Sequence, residues 1–153
     1  MTIALIPVNR PEQSKSRLLP ELADAARQAL TLAMLEDLIE ALARSGCVGR
    51  IAVTTPDPLV ASRARAAGAE VLMRPEPGLN AALEDAAERL APAAGEALLI
   101  VLGDVAGALP GDFRRLVAAA EDGGDGVWLA PSADGGTSAL LLRPARAIPL
   151  RFG

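Results

Sequence analysis

The feature that most limits how this chain can fold is the alternation of short, unbroken apolar runs with longer Ala- and Leu-rich stretches of helical spacing. Ile3 to Val8 and Ala97 to Leu102 contain no charged residue. A strand that is apolar at every position has to be covered on both faces, as in a parallel sheet held between helices. Further strands are expected at Ile51–Thr54, Ala69–Met73, Val127–Ala130 and Ser138–Leu142, and helices at about Glu21–Arg44, Leu59–Ala67, Leu79–Leu90 and Gly111–Ala120. In the first helix, Leu22, Ala25, Ala26, Ala29, Ala33, Leu35 and Leu38 support one apolar face, and Ser45-Gly46 stops it. Strand–helix alternation persists through the first four strands. It predicts an α/β fold: a mostly parallel sheet with helices on both faces and right-handed crossovers. With 153 residues, no internal repeat and no linker, the whole chain reads as a single domain with one sizeable core. After Leu142 no helix or capping strand is expected, and the last residues read as an extended segment that ends before it reaches anything.

Composition removes several classes of chemistry. A net charge of −4 and a pI near 4.9 argue against nucleic acid as a partner, although a nucleotide needs only a local positive patch and usually a divalent metal. There is no histidine, so imidazole acid–base catalysis and imidazole metal ligands are excluded. The lone Cys47 cannot form an intrachain disulfide, fits a reducing compartment and reads as filling space at a helix end. Trp128 reads as core. No apolar run is long enough for a bilayer, and Met1–Pro7 is too short and uncharged for a signal peptide; a cytoplasmic protein with no membrane partner is expected.

In an open parallel sheet, ligands bind beyond the carboxyl ends of the strands, and four notable loops fall there. The loop after the first strand carries Ser14, Lys15, Ser16 and Arg17, two hydroxyls and two cations in four residues without a glycine. Lys15 is the single lysine; every other basic residue is arginine. A compact ammonium used only here suits contact with a phosphate oxygen as a point charge, and a solvated capping loop is the plainer alternative. After the third strand, Gly78 would let the backbone approach a flat ring, and Asn80 could bond a base or ribose or simply occupy the first turn of a helix. After the fourth strand, Asp104 stands where Mg²⁺ bridging nucleotide phosphates would need an oxygen ligand, or else is a turn or capping Asp. After the fifth, Asp134-Gly135-Gly136-Thr137 could form an anion nest or a β-turn. Arg151 could meet an anionic substrate or lie exposed.

Taken in order, Pro7-Val8, Ser14-Lys15-Ser16-Arg17-Leu18, Gly78-Leu79-Asn80-Ala81-Ala82, Gly103-Asp104, Ala133-Asp134-Gly135-Gly136-Thr137 and Phe152-Gly153 are similar to the guanylyltransferases of deazaflavin coenzyme F-420 biosynthesis, the 2-phospho-L-lactate or phosphoenolpyruvate guanylyltransferases. The resemblance runs through essentially the whole chain. It implies a nucleotidyltransferase fold like that of the nucleotide-diphospho-sugar transferases. It also implies an enzyme that transfers GMP from GTP to a phosphorylated three-carbon acid and releases pyrophosphate, with Mg²⁺ as cofactor. Lys15, Arg17 and Asp104 would be the catalytic residues, and Asp104 the metal ligand. Pro7, Val8, Ser14, Lys15, Arg17, Gly78 and Asn80 would bind the nucleotide. Asp134, Thr137 and Gly153 would bind the acid.

This chain departs from the family pattern in places. Asn9 stands where relatives usually carry lysine, Asp104-Val105-Ala106 replaces Asp-Leu-Pro, and Gly136-Thr137-Ser138 replaces Gly-Thr-Asn. The family continues past Phe152-Gly153 into a segment that supplies further substrate contacts and a second metal ligand, so the resemblance implies a C-terminally incomplete domain. The alternatives are a truncated nucleotide-binding homologue without full activity, and another nucleotidyltransferase of the same fold, which the missing glycine-rich first loop disfavours. A homodimer is left open, as is the choice among phosphoenolpyruvate, 2-phospho-L-lactate and 3-phospho-D-glycerate.

Overall fold

The N-terminal apolar run forms β1 (Thr2–Pro7), one of the two central strands of a six-stranded sheet. The computed structural model describes residues 1–10, 23–75 and 78–152. β1 pairs in parallel with β2 (Arg50–Thr55) on one side and β4 (Ala97–Val101) on the other, and β2 pairs in parallel with β3 (Glu70–Met73). Beyond β4 the sheet turns antiparallel: β6 (Thr137–Arg143) pairs with β4, and β5 (Gly126–Pro131) forms the edge beside β6. The order is β3-β2-β1-β4-β6-β5. Ile3 to Ile6 and Leu98 to Val101 are fully buried, as continuous apolar strands in the middle of a covered sheet should be. The edge strand β5 instead leaves Val127 and Leu129 exposed.

The strand period of two divides the core into two layers. Ala4 and Ile6 face α1 (Asp24–Ser45), α2 (Pro58–Ala66) and α4 (Pro110–Gly123), in a layer with Leu35, Ile39, Leu42, Val60, Phe113 and Val117. Ile3 and Leu5 face the opposite way, toward Leu83, Ala86, Ala87 and Leu90 of α3 (Leu79–Leu90). Helix ends follow local chemistry. Gly46 takes a left-handed φ of 68° and donates its N–H to the Ala43 carbonyl at 3.3 Å, ending α1. The Asp57 carboxylate accepts from the Leu59 and Val60 amides at 2.7 and 3.2 Å, so α2 begins one residue earlier than expected, at Pro58 in the first turn. Trp128 is half-buried against the first layer, and so is Cys47, next to the end of α1.

The expectation that the chain reaches nothing after β6 is corrected by the structure. β6 ends at the amino edge of the sheet, where the Ala145 amide donates to the Glu96 carbonyl at 3.0 Å. From there the chain runs back along α3. Ala145 and Leu150 are 6% and 5% exposed in the same core layer as Leu83 and Leu90, Arg151 lies 4.0 Å from Glu84, and Phe152 meets Asn80. Among the described residues α3 is the only helix in that layer, and Leu140 and Leu142 would otherwise lie open beside it. The segment is held by coverage of that surface rather than by a periodic pattern, so no period announced it. No helix of the described residues is long and apolar enough to cross a membrane.

Candidate active site

β2 and β3 lie to one side of β1, and β4, β6 and β5 to the other. Chain direction across the sheet therefore switches between β1 and β4, and the loops leaving their carboxyl ends part to open a crevice. The β5–β6 hairpin opens on the same edge: Ala139 pairs with Val101, and the Leu102 amide donates to the Ser138 carbonyl at 3.2 Å. Pro7, Val8, Gly78, Asp104, Asp134 and Thr137 thus come from distant parts of the sequence to one edge. Ser14, Lys15, Arg17 and Gly153 lie outside the described residues.

On the β2 side of the crevice, Pro7, Val8, Asn9, Thr54, Arg74 and Gly78 line a small pocket. Its walls are tied together by backbone: the Val8 amide donates to the Thr54 carbonyl at 2.9 Å, and the Arg74 amide to Thr55 at 3.1 Å. The Arg74 guanidinium also donates to the Ala81 carbonyl, fastening the end of β3 to the first turn of α3. Thr54 and Arg74 were not singled out from sequence. Their only signal was position at the carboxyl ends of β2 and β3. The buried Thr54 Oγ1 and Arg74 Nε have no hydrogen-bond partner among the described residues. Gly78 precedes α3 with φ 128°, and a β-carbon there would meet none of the described residues within 4 Å, so the backbone conformation is what calls for glycine. Asn80 directs its amide to the backbone of Phe152.

On the β4 side, the Val105 amide donates to the Leu102 carbonyl at 3.1 Å, which makes Gly103-Asp104 the corner of a tight turn. Asp104 is exposed and makes no hydrogen bond or ion pair with the described residues; the start of α4 is capped by others. In the hairpin loop, the Ser132 amide donates to Gly136 O at 2.9 Å, Gly135 to Ser132 O at 3.1 Å, and Gly136 to Asp134 Oδ1 at 3.2 Å. Ser132 Oγ also bonds Asp134. Both glycine amides are used inside the turn, so the loop presents side chains rather than an open backbone nest. Among the described residues no group of three or more Asp, Glu or Cys gathers around a metal position. The exposed Asp104 carboxylate could supply one oxygen ligand to a divalent cation that keeps most of its waters.

This architecture is structurally similar to that of the nucleotide-diphospho-sugar transferases. The fold matches 4-diphosphocytidyl-2C-methyl-D-erythritol synthase with a TM-score of 0.65, at 17% identity over 93% of this chain and 74% of that one. It matches Rv0371c of Mycobacterium tuberculosis H37Rv, solved as a complex with manganese, with a TM-score of 0.57, at 22% identity over 91% and 69%. Within that class the chain belongs to the family of CofC-like guanylyl transferases, whose model matches residues 2–153. The phosphoenolpyruvate guanylyltransferase of Rubrobacter xylanophilus is 39% identical over 98% of this chain and 73% of its own. The 2-phospho-L-lactate guanylyltransferase of Methanothermobacter thermautotrophicus is 38% identical over 99% and 66%, and the 3-phospho-D-glycerate guanylyltransferase of Colwellia psychrerythraea 32% over 99% and 72%.

Proposed function

We propose that this protein transfers GMP from GTP to a small phosphorylated three-carbon acid, in the cytoplasm, on the route to a deazaflavin coenzyme. The observation that carries the reading is the match of the guanylyl transferase family across residues 2–153. It is supported by the convergence of the loops after β1, β3 and β4 on one sheet edge.

In this reaction a phosphate oxygen of the acid attacks the α-phosphorus of GTP, a new P–O–P bond forms, and the bond to the β-phosphate breaks to release pyrophosphate. The attacking oxygen is already ionised, so no general base is required, in keeping with a chain that has no histidine. The obstacle is the approach of two anions, and the protein's work is to position them and offset their charge. Lys15 and Arg17 hold the triphosphate, with Ser14 adding a hydroxyl. Pro7, Val8 and Gly78 line the nucleotide side of the crevice. Asp104 holds Mg²⁺. When bound, the ion supplies charge stabilisation at the phosphates. Asp134, Thr137 and Gly153 bind the acid. Thr137 begins β6 beside the end of β4, within the same crevice as the Asp104 turn.

Pyrophosphate release from GTP and Mg²⁺, assayed with phosphoenolpyruvate, 2-phospho-L-lactate and 3-phospho-D-glycerate in turn, tests the reading and names the acceptor. Release with one acid is expected. GTP binding without release for any of them refutes the catalytic assignment.

A further inference from the structure

Arg74 is held in place from two sides, yet half of its guanidinium is unused. Its amide donates to the Thr55 carbonyl at 3.1 Å, just past the end of β3, and its Nη1 donates to the Ala81 carbonyl in the first turn of α3. The other edge of the group has no work within the protein. Nε is buried without a hydrogen-bond partner, and Nη2 makes no hydrogen bond or ion pair with the described residues. A guanidinium tied at Nη1 keeps Nε–H and Nη2–H as two parallel donors in one plane. A buried donor left unpaired is costly, and an acceptor brought by a ligand offsets that cost.

The fork belongs to the small pocket shared with Pro7, Val8 and Gly78, on the nucleotide side of the crevice. Strand period fixes which side of the sheet this is. Val53 lies in the α1 layer and Ala52 in the α3 layer, so Thr54 and its register partner Pro7 turn toward α3, where Leu79 and Ala82 close the pocket. β3 stands three strand spacings from β4, about 14 Å from the strand that carries the Asp104 turn. With the reacting phosphates held between β1 and β4, the base is the part of the nucleotide that reaches toward β2 and β3. The pocket is small enough to take the edge of a ring rather than a whole one.

We propose that Arg74 is the residue by which this protein tells guanine from adenine, its Nε–H and Nη2–H donating to O6 and N7 of the base of GTP. This rests on the guanylyltransferase reading above and deepens it. Guanine presents two acceptors on that edge, whereas adenine sets an N6 amino group, a donor, beside its N7. Two donors facing a donor leave one of them unpaired, which is how a fixed fork rejects the wrong purine.

The test is titration calorimetry of GTP, ATP and 7-deaza-GTP, with Mg²⁺, on the parent and on Arg74→Ala and Arg74→Lys. The parent is expected to bind GTP about 10- to 100-fold more tightly than ATP. It is also expected to bind 7-deaza-GTP, which lacks the N7 acceptor, about tenfold more weakly than GTP. Both ratios are expected to fall to within about threefold of one in Arg74→Ala, with the affinity for ATP little changed, and to shrink in Arg74→Lys, which keeps the charge and loses the fork. Removal of the tether to Ala81 would by itself weaken all three nucleotides alike. An equal loss for all three therefore overturns the proposal, as does a GTP preference that survives in either variant with a parent-like urea midpoint. Should neither variant fold, the parent decides: equal affinity for GTP and 7-deaza-GTP, or for GTP and ATP, overturns the contact. A parent that binds none of the three refutes the guanylyltransferase reading itself, and this assignment with it.

Discussion

The carbonyl oxygen of Pro7 stands where any side chain on Gly103 would have to go. A β-carbon on Gly103 would lie 2.9 Å from that oxygen and 2.9 Å from Val8 Cγ2. The ends of β1 and β4 are therefore in contact at the point where the sheet changes direction, and glycine is what permits it. Gly103→Ala must push the Asp104 turn away from the β1 loop. The expected cost is about 1–3 kcal/mol of stability from overpacking, read as a lower urea midpoint. Turnover is expected to fall about 10²-fold because the two loops no longer meet in register. An alanine variant with unchanged midpoint and unchanged turnover would mean that this contact matters to neither.

Asp104 is exposed at a turn corner and has no protein partner among the described residues, so its side chain contributes little to folding. Asp104→Asn is expected to change stability by less than about 0.5 kcal/mol. Pyrophosphate release is expected to drop about 10²–10³-fold if this carboxylate carries the divalent cation. Thermal denaturation and turnover measured on the same preparation separate the two effects. Turnover equal to the parent's removes Asp104 from the site.

Lys15 carries a prediction from sequence alone. Loss of a charge-assisted phosphate contact in Lys15→Ala should weaken GTP binding by about 1.5–3 kcal/mol, measured by titration calorimetry with Mg²⁺ present. Lys15→Arg should recover only part of that loss, since a planar fork does not reproduce a compact point charge. Parent-like affinity in the alanine variant would sink the assignment.

Asp57 offers a contrast, since it is 8% exposed and its work is structural. Its carboxylate holds the Leu59 and Val60 amides at the start of α2. Asp57→Ala is expected to cost about 1–2 kcal/mol by loss of the cap. Its KM values for GTP and for the acid are expected to stay at parent levels. A KM for GTP that rises severalfold in this variant would show that the carboxyl end of β2 also serves the nucleotide.

Much of this fold is written in local pattern. The apolar run Ile3–Val8 becomes β1 with a shift of one residue, and Leu79–Leu90 is helical over the expected span, because both signals come from neighbouring residues: continuous burial in one, the 3.6-residue period in the other. Gly46 ended α1 as expected because a left-handed C-cap is a property of one residue. The loops at the carboxyl ends of the strands were legible too, as breaks after apolar runs, and the structure sets Asp104 and Thr137 on that edge. Which layer each helix would cover was not legible.

By itself the sequence determined the succession of strands and helices, the absence of imidazole chemistry, and the loops in which charged and hydroxyl side chains would gather. These depend on composition and on spacing within a few residues. Only the tertiary structure decided the order β3-β2-β1-β4-β6-β5, the antiparallel insertion of β6 beside β4, the contact of Gly103 with Pro7, and the hydrogen bonds between the Asn80 amide and the Phe152 backbone. Each of those joins residues far apart along the chain. Local propensity is blind to such pairs; they are selected by the burial of two core layers at once and by the pairing of backbone groups that water can no longer reach.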